Sequence, residues 1–270
     1  MNNILYLDCS SGISGDMFVA SMLDLGADKE VMLKALNSLL VRGFEVKVSR
    51  VMKSGYDACD FWVVLDEKYE NHDHDMQYLH GEKGGDHHKE TVTHHDHECR
   101  GIVEIEDIIR GADMTPGAKK LAMKIFAILA DAEAKAHDVP VEQVHFHEVG
   151  AVDSIADIVA AAVCFDNLGI SKVIIPQISD GTGTIRCRHG LLPVPVPAVR
   201  NIDESHKLNL HIIDVEGELV TPTGAAIAVA IRTDLQLPES FRVLRTGLGA
   251  GKREYKCSGI LRAAFIKEEL

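Results

Sequence analysis

The sequence predicts an α+β fold of mixed strands and helices, carrying a His-rich disordered insertion and leaving room for two subdomains. Three observations predict it. The opening third reads as β-α-α-β-β, helical patterns then gather between residues 101 and 168, and strand patterns return toward residue 270. The composition changes abruptly near residue 68 and changes back near residue 100, which divides the chain into 1–67, 68–100 and 101–270.

Ile4 to Leu7 is a short apolar run read as a first strand, and Ser10 to Gly15 is a loop rich in Ser and Gly. Asp16 to Leu25 places Met17, Ala20, Ser21 and Leu25 on one side at helical spacing. A second helix covers Asp28 to Leu40 and stops near Gly43. Phe44 to Val48 alternates apolar and polar residues, and Phe61 to Leu65 follows the turn signal Ser54-Gly55 as another strand. The tract 68–100 holds His72, His74, His80, His87, His88, His94, His95 and His97 among acids and glycines. It has almost no apolar periodicity, so it is read as a disordered loop that buries too little to fold alone.

Beyond it, helices are read at Glu104 to Arg110 and at Pro116 to His137, with Thr115 and Pro116 as N-cap and first helical residue. Leu121, Ile125, Ile128 and Leu129 give the longer helix its buried stripe. Asp153 to Leu168, rich in Ala, Ile and Val, is a helix packed on both sides. Val173 to Ile175 is a strand. Gly181 to Val199, with Pro193, Pro195 and Pro197, is read as extended and stiff rather than helical. Leu208 to Ile213 is a strand, Pro222 to Ile231 a helix, and Phe241 to Val243 and Ile260 to Ile266 are closing strands.

A net charge of −13 argues against a nucleic-acid partner, which needs clustered Lys and Arg to displace counterions, and against an anionic membrane surface. A divalent cation suits it better. The N-terminus shows no basic region followed by an apolar one, and no apolar run is long enough to span a bilayer. The six cysteines are scattered without a C-x-x-C pair, so the expected setting is cytoplasmic and reduced.

The densest chemistry lies at residues 145–157, HFHEVGAVDSIAD. In an extended segment His145 and His147 point the same way, and Asp153 and Asp157 share a helix face. Imidazoles and carboxylates together suit nickel or zinc. The plainer alternative makes Asp153 the N-cap of its helix and leaves Asp157 to the helix dipole. The eight histidines of the insertion will bind nickel, zinc or copper to some degree, for delivery, storage or adventitiously.

Two loop-to-helix junctions suit an anion: Ser11, Gly12, Ser14 and Gly15 before the first helix, and Thr221, Thr223 and Gly224 at a later one. Neither carries a P-loop or G-x-G-x-x-G pattern, and ordinary capping explains Thr221 equally well. Asp8 and Asp16 flank the first loop, as metal ligands or as turn residues. Arg186 and Arg188, with His189, concentrate positive charge in an acidic chain, either to grip phosphate or carboxylate or as a solvent-facing pair.

The segments LDCSSGISGDMFVASMLDLGA at 7–27, HFHEVGAVDSIADIVAAAV at 145–163 and ELVTPTGAAI at 218–227 resemble the LarC family, in the same order and over nearly the whole chain. The resemblance is to the N-terminal part, since full-length members continue into a C-terminal domain with which the CTP site is associated. It implies a nickel chelatase, a metal-inserting lyase. With CTP and manganese or magnesium, it loads nickel into pyridinium-3,5-bisthiocarboxylic acid mononucleotide, the precursor of the nickel-pincer cofactor of lactate racemase. A homo-oligomer is expected.

In that reading His145, His147, Asp157, Asp16 and Asp8 hold nickel, His147 presenting it for the reaction, while Glu148 or Asp153 accepts the ring proton lost when the nickel–carbon bond forms. Ser11, Gly12, Ser14, Gly15, Arg186, Arg188, His189, Thr221, Thr223 and Gly224 hold the precursor. His72, His74, His87, His88, His94, His95 and His97 deliver metal. A non-enzymatic nickel chaperone or store is the alternative.

Overall fold

The computed structural model describes residues 3–66, 76, 79, 100–144, 152–187 and 190–269, and in them the fold is mixed α+β, with seven α-helices and ten strands. The strands are β1 (Asn3–Asp8), β2 (Phe44–Lys53), β3 (Tyr56–Leu65), β4 (Ile170–Ile174), β5 (Ile178–Thr182), β6 (Thr184–Cys187), β7 (Gly190–Pro193), β8 (Leu210–Glu216), β9 (Phe241–Ala250) and β10 (Ile260–Glu268). The helices are α1 (Gly15–Leu25), α2 (Lys29–Asn37), α3 (Ile102–Gly111), α4 (Pro116–His137), α5 (Val152–Asn167), α6 (Pro197–His206) and α7 (Pro222–Ile231). The His-rich tract falls almost wholly outside the described residues.

Six strands form one sheet in the order β2-β3-β9-β10-β1-β4. β1 and β4 run parallel, as do β3 and β9, while β2–β3, β9–β10 and β1–β10 are antiparallel. The sheet thus interleaves strands from the first 65 residues with strands from the last hundred. β5–β8 and β6–β7 are separate two-stranded pairs.

Local chemistry explains the helix ends. Asp28 accepts hydrogen bonds from the Glu30 and Val31 amides to start α2, and Thr115 accepts from Ala118 with proline next to it to start α4. α1 ends on Gly26 in the left-handed region. Its buried side, including Phe18 and Met22, packs on the sheet, against β9 in particular. The approach is close: a Cβ on Gly249 would overlap the Met17 carbonyl, and one on Gly247 would overlap the backbone of Ser21 and Leu25. α5 is buried on most sides between α1, α2 and α4, as its composition predicts.

Three expectations are corrected. Residues 197–199 are not extended: Pro197 is the first turn of α6, where its missing N–H costs nothing. α2 ends at Asn37 rather than Leu40, with the Ser38 hydroxyl bonded to the Ala35 carbonyl (2.6 Å). β9 runs on to Ala250, well past Val243, because its glycines serve the contact with α1. No helix among the described residues is long and apolar enough to cross a membrane. The five cysteines among them are all free.

Candidate functional site

The two loop-to-helix junctions, about 200 residues apart in sequence, lie side by side. The Ile13 N–H donates to the Leu219 carbonyl (3.0 Å), and the Thr221 N–H donates to the Ile13 carbonyl (3.1 Å). Gly12, at φ +84°, and Gly224 permit the crossing, since a Cβ on either would overlap the opposite backbone. α1 and α7 therefore start next to each other. α5 starts beside them, because Gly15 lies against the Asp157 carboxylate with no room for a Cβ. The three helix starts border one cavity of about 400 Å³.

Its acidic wall carries Asp16, Asp153 and Asp157. Asp153 is the second residue of α5, so the N-cap reading is corrected. Asp157 lies one turn further along the same face. Burial, then Asp16 and then Asp153, holds the Asp157 carboxyl well above the ordinary range, with Lys252 opposing. Ser14 stands at the N-cap of α1, yet its hydroxyl donates to Asp16 rather than accepting from a helix amide.

The β9–β10 connection, residues 251–259, forms another part of the lining. Lys53 donates to the carbonyls of Gly251 (2.6 Å) and Arg253 (2.9 Å), and the Ser54 hydroxyl donates to that of Ser258 (3.0 Å). The hydroxyls of Ser11 and Ser258 bond to each other (2.6 Å). This tied-down loop presents Lys252, Arg253 and Tyr255 to the cavity. Lys252 pairs with Asp60 and Arg253 with Glu218.

Asp180 fixes the strap that leads into α7. Fully buried, its Oδ1 accepts from the amides of Gly181 (2.8 Å), Leu219 (2.9 Å) and Val220 (3.1 Å). Burial pushes its carboxyl up to about 6, aided by Glu218 and opposed by the three amides. The folded protein therefore holds this proton more tightly than the unfolded chain. Stability falls as pH rises from about 4 to 6, by about 2–3 kcal/mol for this group. Asp180→Asn should remove that component, read as the difference between variant and parent urea midpoints at pH 4.5 and 6.5. An unchanged pH slope would refute it. Glu218, the side chain that acts on Asp180 electrostatically, is present in both proteins.

Of the residues singled out from sequence, Ser11, Ser14, Gly15 and Asp16 from the first junction line the cavity, as do Thr221 and Thr223 from the second. Asp153, Asp157 and Arg186 join them. Thr221 also caps α7 by accepting from Gly224 (3.1 Å). Gly12 and Gly224 sit at the loop crossing, and Asp8 accepts from the Ser10 amide (3.1 Å) and faces Arg262 (3.6 Å), away from the lining. His145, His147, Glu148, Arg188, His189 and the delivery histidines lie outside the described residues. Among the described ones, no three His, Cys, Asp or Glu side chains form a ready metal site.

Sequence reasoning missed Lys252, Arg253, Tyr255, Glu218, Asp180 and Trp62. The signal for the first two was present: Lys252, Arg253 and Lys256 crowd one short loop of an acidic chain.

A family model described as nickel insertion protein matches residues 5–270. A protein of Alkaliphilus metalliredigens (strain QYMF) is 51% identical over 268 residues, covering 99% of this chain and 61% of the relative. One of Acetivibrio thermocellus is 38% identical over 93% of this chain and 57% of the relative, and one of Geobacillus kaustophilus 40% identical over 98% and 60%. All three are named pyridinium-3,5-bisthiocarboxylic acid mononucleotide nickel insertion protein. The chain spans about three fifths of the length of these curated relatives. No solved structure matches it. With the match running from residue 5 to residue 270, the chain belongs to the nickel insertion protein family.

Proposed function

We propose that this chain holds nickel and the pyridinium-3,5-bisthiocarboxylic acid mononucleotide precursor while the metal is inserted. The observation that carries the reading is the meeting of three helix starts, a carboxylate wall and a basic loop around one cavity. The precursor is an anion at its phosphate and thiocarboxylates, and the nickel substrate is a dication. A cavity lined by both carboxylates and cationic side chains offers groups to each. The phosphate and thiocarboxylates fit the helix starts at Ser11, Ser14, Gly15, Thr221 and Thr223, together with Arg186. Nickel fits Asp16 and Asp157, completed by His145 and His147.

Insertion breaks a ring C–H bond and forms a nickel–carbon bond. The proton passes to a base, no electron changes hands, and Glu148 or Asp153 takes the base role while His147 presents the metal. The tract 68–100 is proposed as a delivery arm between the parts 1–67 and 101–270. The described residues offer no P-loop and no ready divalent-ion group for CTP with magnesium or manganese. That requirement is left to the C-terminal domain implied by the resemblance, and no step is derived through it. A cytoplasmic homo-oligomer supplying the lactate racemase cofactor completes the proposal.

Calorimetry tests the metal half. With residues 71–98 removed, the parent should bind about one nickel, and His145→Ala/His147→Ala should lose at least about tenfold in affinity. Equal affinity in the two would sink the ligand assignment. The tract deletion alone should reduce insertion at scarce nickel and leave it intact at saturating nickel.

A further inference from the structure

The end of α4 brings an imidazole and a carboxylate to the cavity. Glu133 and His137 stand four residues apart on one helix face, and both line the cavity together with Asp153 and Ser154 of α5. His137 Nε2 lies 3.6 Å from Glu133 Oε2, and the two side chains are 38% and 18% exposed, open to exchange with solvent. That spacing is too long for a hydrogen bond. The neighbouring pair on the same helix, Asp131 and Lys135, closes to 2.7 Å and stands outside the lining. Donors bonded to one first-row metal ion at about 2.0–2.1 Å stand about 3 Å from each other. Glu133 and His137 therefore need to close by only about half an ångström to share an ion.

We infer that Glu133 and His137 form a two-donor landing site for the nickel substrate on α4. This rests on the proposed function and adds to it a place for the metal besides Asp16 and Asp157. Imidazole suits nickel, and the carboxylate beside it offsets the charge of the dication. As an ion pair the two groups share a proton. Nickel takes the place of that proton, which leaves to solvent, and no other bond is made or broken. α4 ends at His137, so its carbonyl end also favours a cation there. Two protein donors hold a metal loosely. The remaining positions stay with water, which the sulfurs of the precursor can displace. A closed set of four protein ligands would keep nickel as a structural ion and withhold it from the precursor.

The test uses the full chain with the eight histidines of 68–100 changed to asparagine, which leaves six, and nickel alone as the probe. Paramagnetic nickel below one equivalent should broaden the imidazole resonance of His137, identified by its absence from His137→Ala. The resonances of His206 and His211, which do not line the cavity, should stay sharp. By calorimetry, His137→Ala and Glu133→Gln should each weaken nickel binding about tenfold or more. Both should melt within about 2 °C of the parent, because a partly exposed i,i+4 pair adds little to stability. Asp131→Asn, which breaks the pair outside the lining, should leave affinity within about twofold. A His137 resonance that stays sharp while nickel binds, or parent affinity in either variant, would overturn the landing site alone. If the parent bound no nickel, the proposed function would fall and the landing site with it.

Discussion

Asp157→Asn should abolish nickel insertion while leaving the protein more stable. The carboxyl stands in the cavity wall against Gly15, disfavoured in its charged form by burial and by Asp16 and Asp153. Such a charge is a cost to folding that a metal dication can repay. The isosteric amide removes the cost and the attraction together. Insertion, measured with the complete enzyme system, should fall on the order of 100-fold. Stability should rise by about 1 kcal/mol, a few degrees in melting temperature for a chain of this size. The opposite signs are the diagnostic. A variant that lost stability along with activity would mark Asp157 as structural, and one that kept full activity would remove it from the metal site.

Gly249→Val should cost more than about 3 kcal/mol, a large fraction of the roughly 5–15 kcal/mol that holds a domain together. The site depends on α1 lying directly on β9, and at Gly249 the Met17 carbonyl fills the space a Cβ would need. Backbone cannot swing aside as a side chain does, so α1 must lift from the sheet and carry Ser14, Gly15 and Asp16 with it. The urea midpoint should fall by about 1 M or more. A shift below about 0.3 M would mean that the helix relaxes freely and that the contact is not what sets its height. Gly55→Ala is the control, at a turn where a Cβ meets nothing but φ is +82°. It should cost only the smaller backbone penalty of about 1 kcal/mol.

What the sequence made legible follows from how far each signal reaches. α4 and α7 were read to the residue because Thr115-Pro116 and Thr221-Pro222 state their own starts. The spacing of Asp153 and Asp157 likewise put both on one wall, since four residues on a helix is a local fact. α6 is not legible because Pro197 follows Pro193 and Pro195 in what reads as one stiff run, although a proline suits a first helical turn as well as it suits an extended chain. The two loop-to-helix junctions are each visible in the sequence, but their pairing through Ile13, Leu219 and Thr221 is a long-range fact with no local trace. Lys252 and Arg253 escaped for the same reason: only the fold shows that the loop is tied over the cavity by Lys53, Ser54 and Ser11.

The sheet order has a consequence for biosynthesis. β9 and β10, about 175 residues or more downstream of β3, sit between β3 and β1 in the sheet. A nascent chain that has reached α7 already carries the three aspartates and both loop-to-helix junctions, but until β9 and β10 emerge it has neither a joined six-stranded sheet nor the 251–259 loop. Pairings this distant in sequence form slowly and late. The cavity is thereby assembled only after β9 and β10 have been made, whatever the order in which its other walls fold.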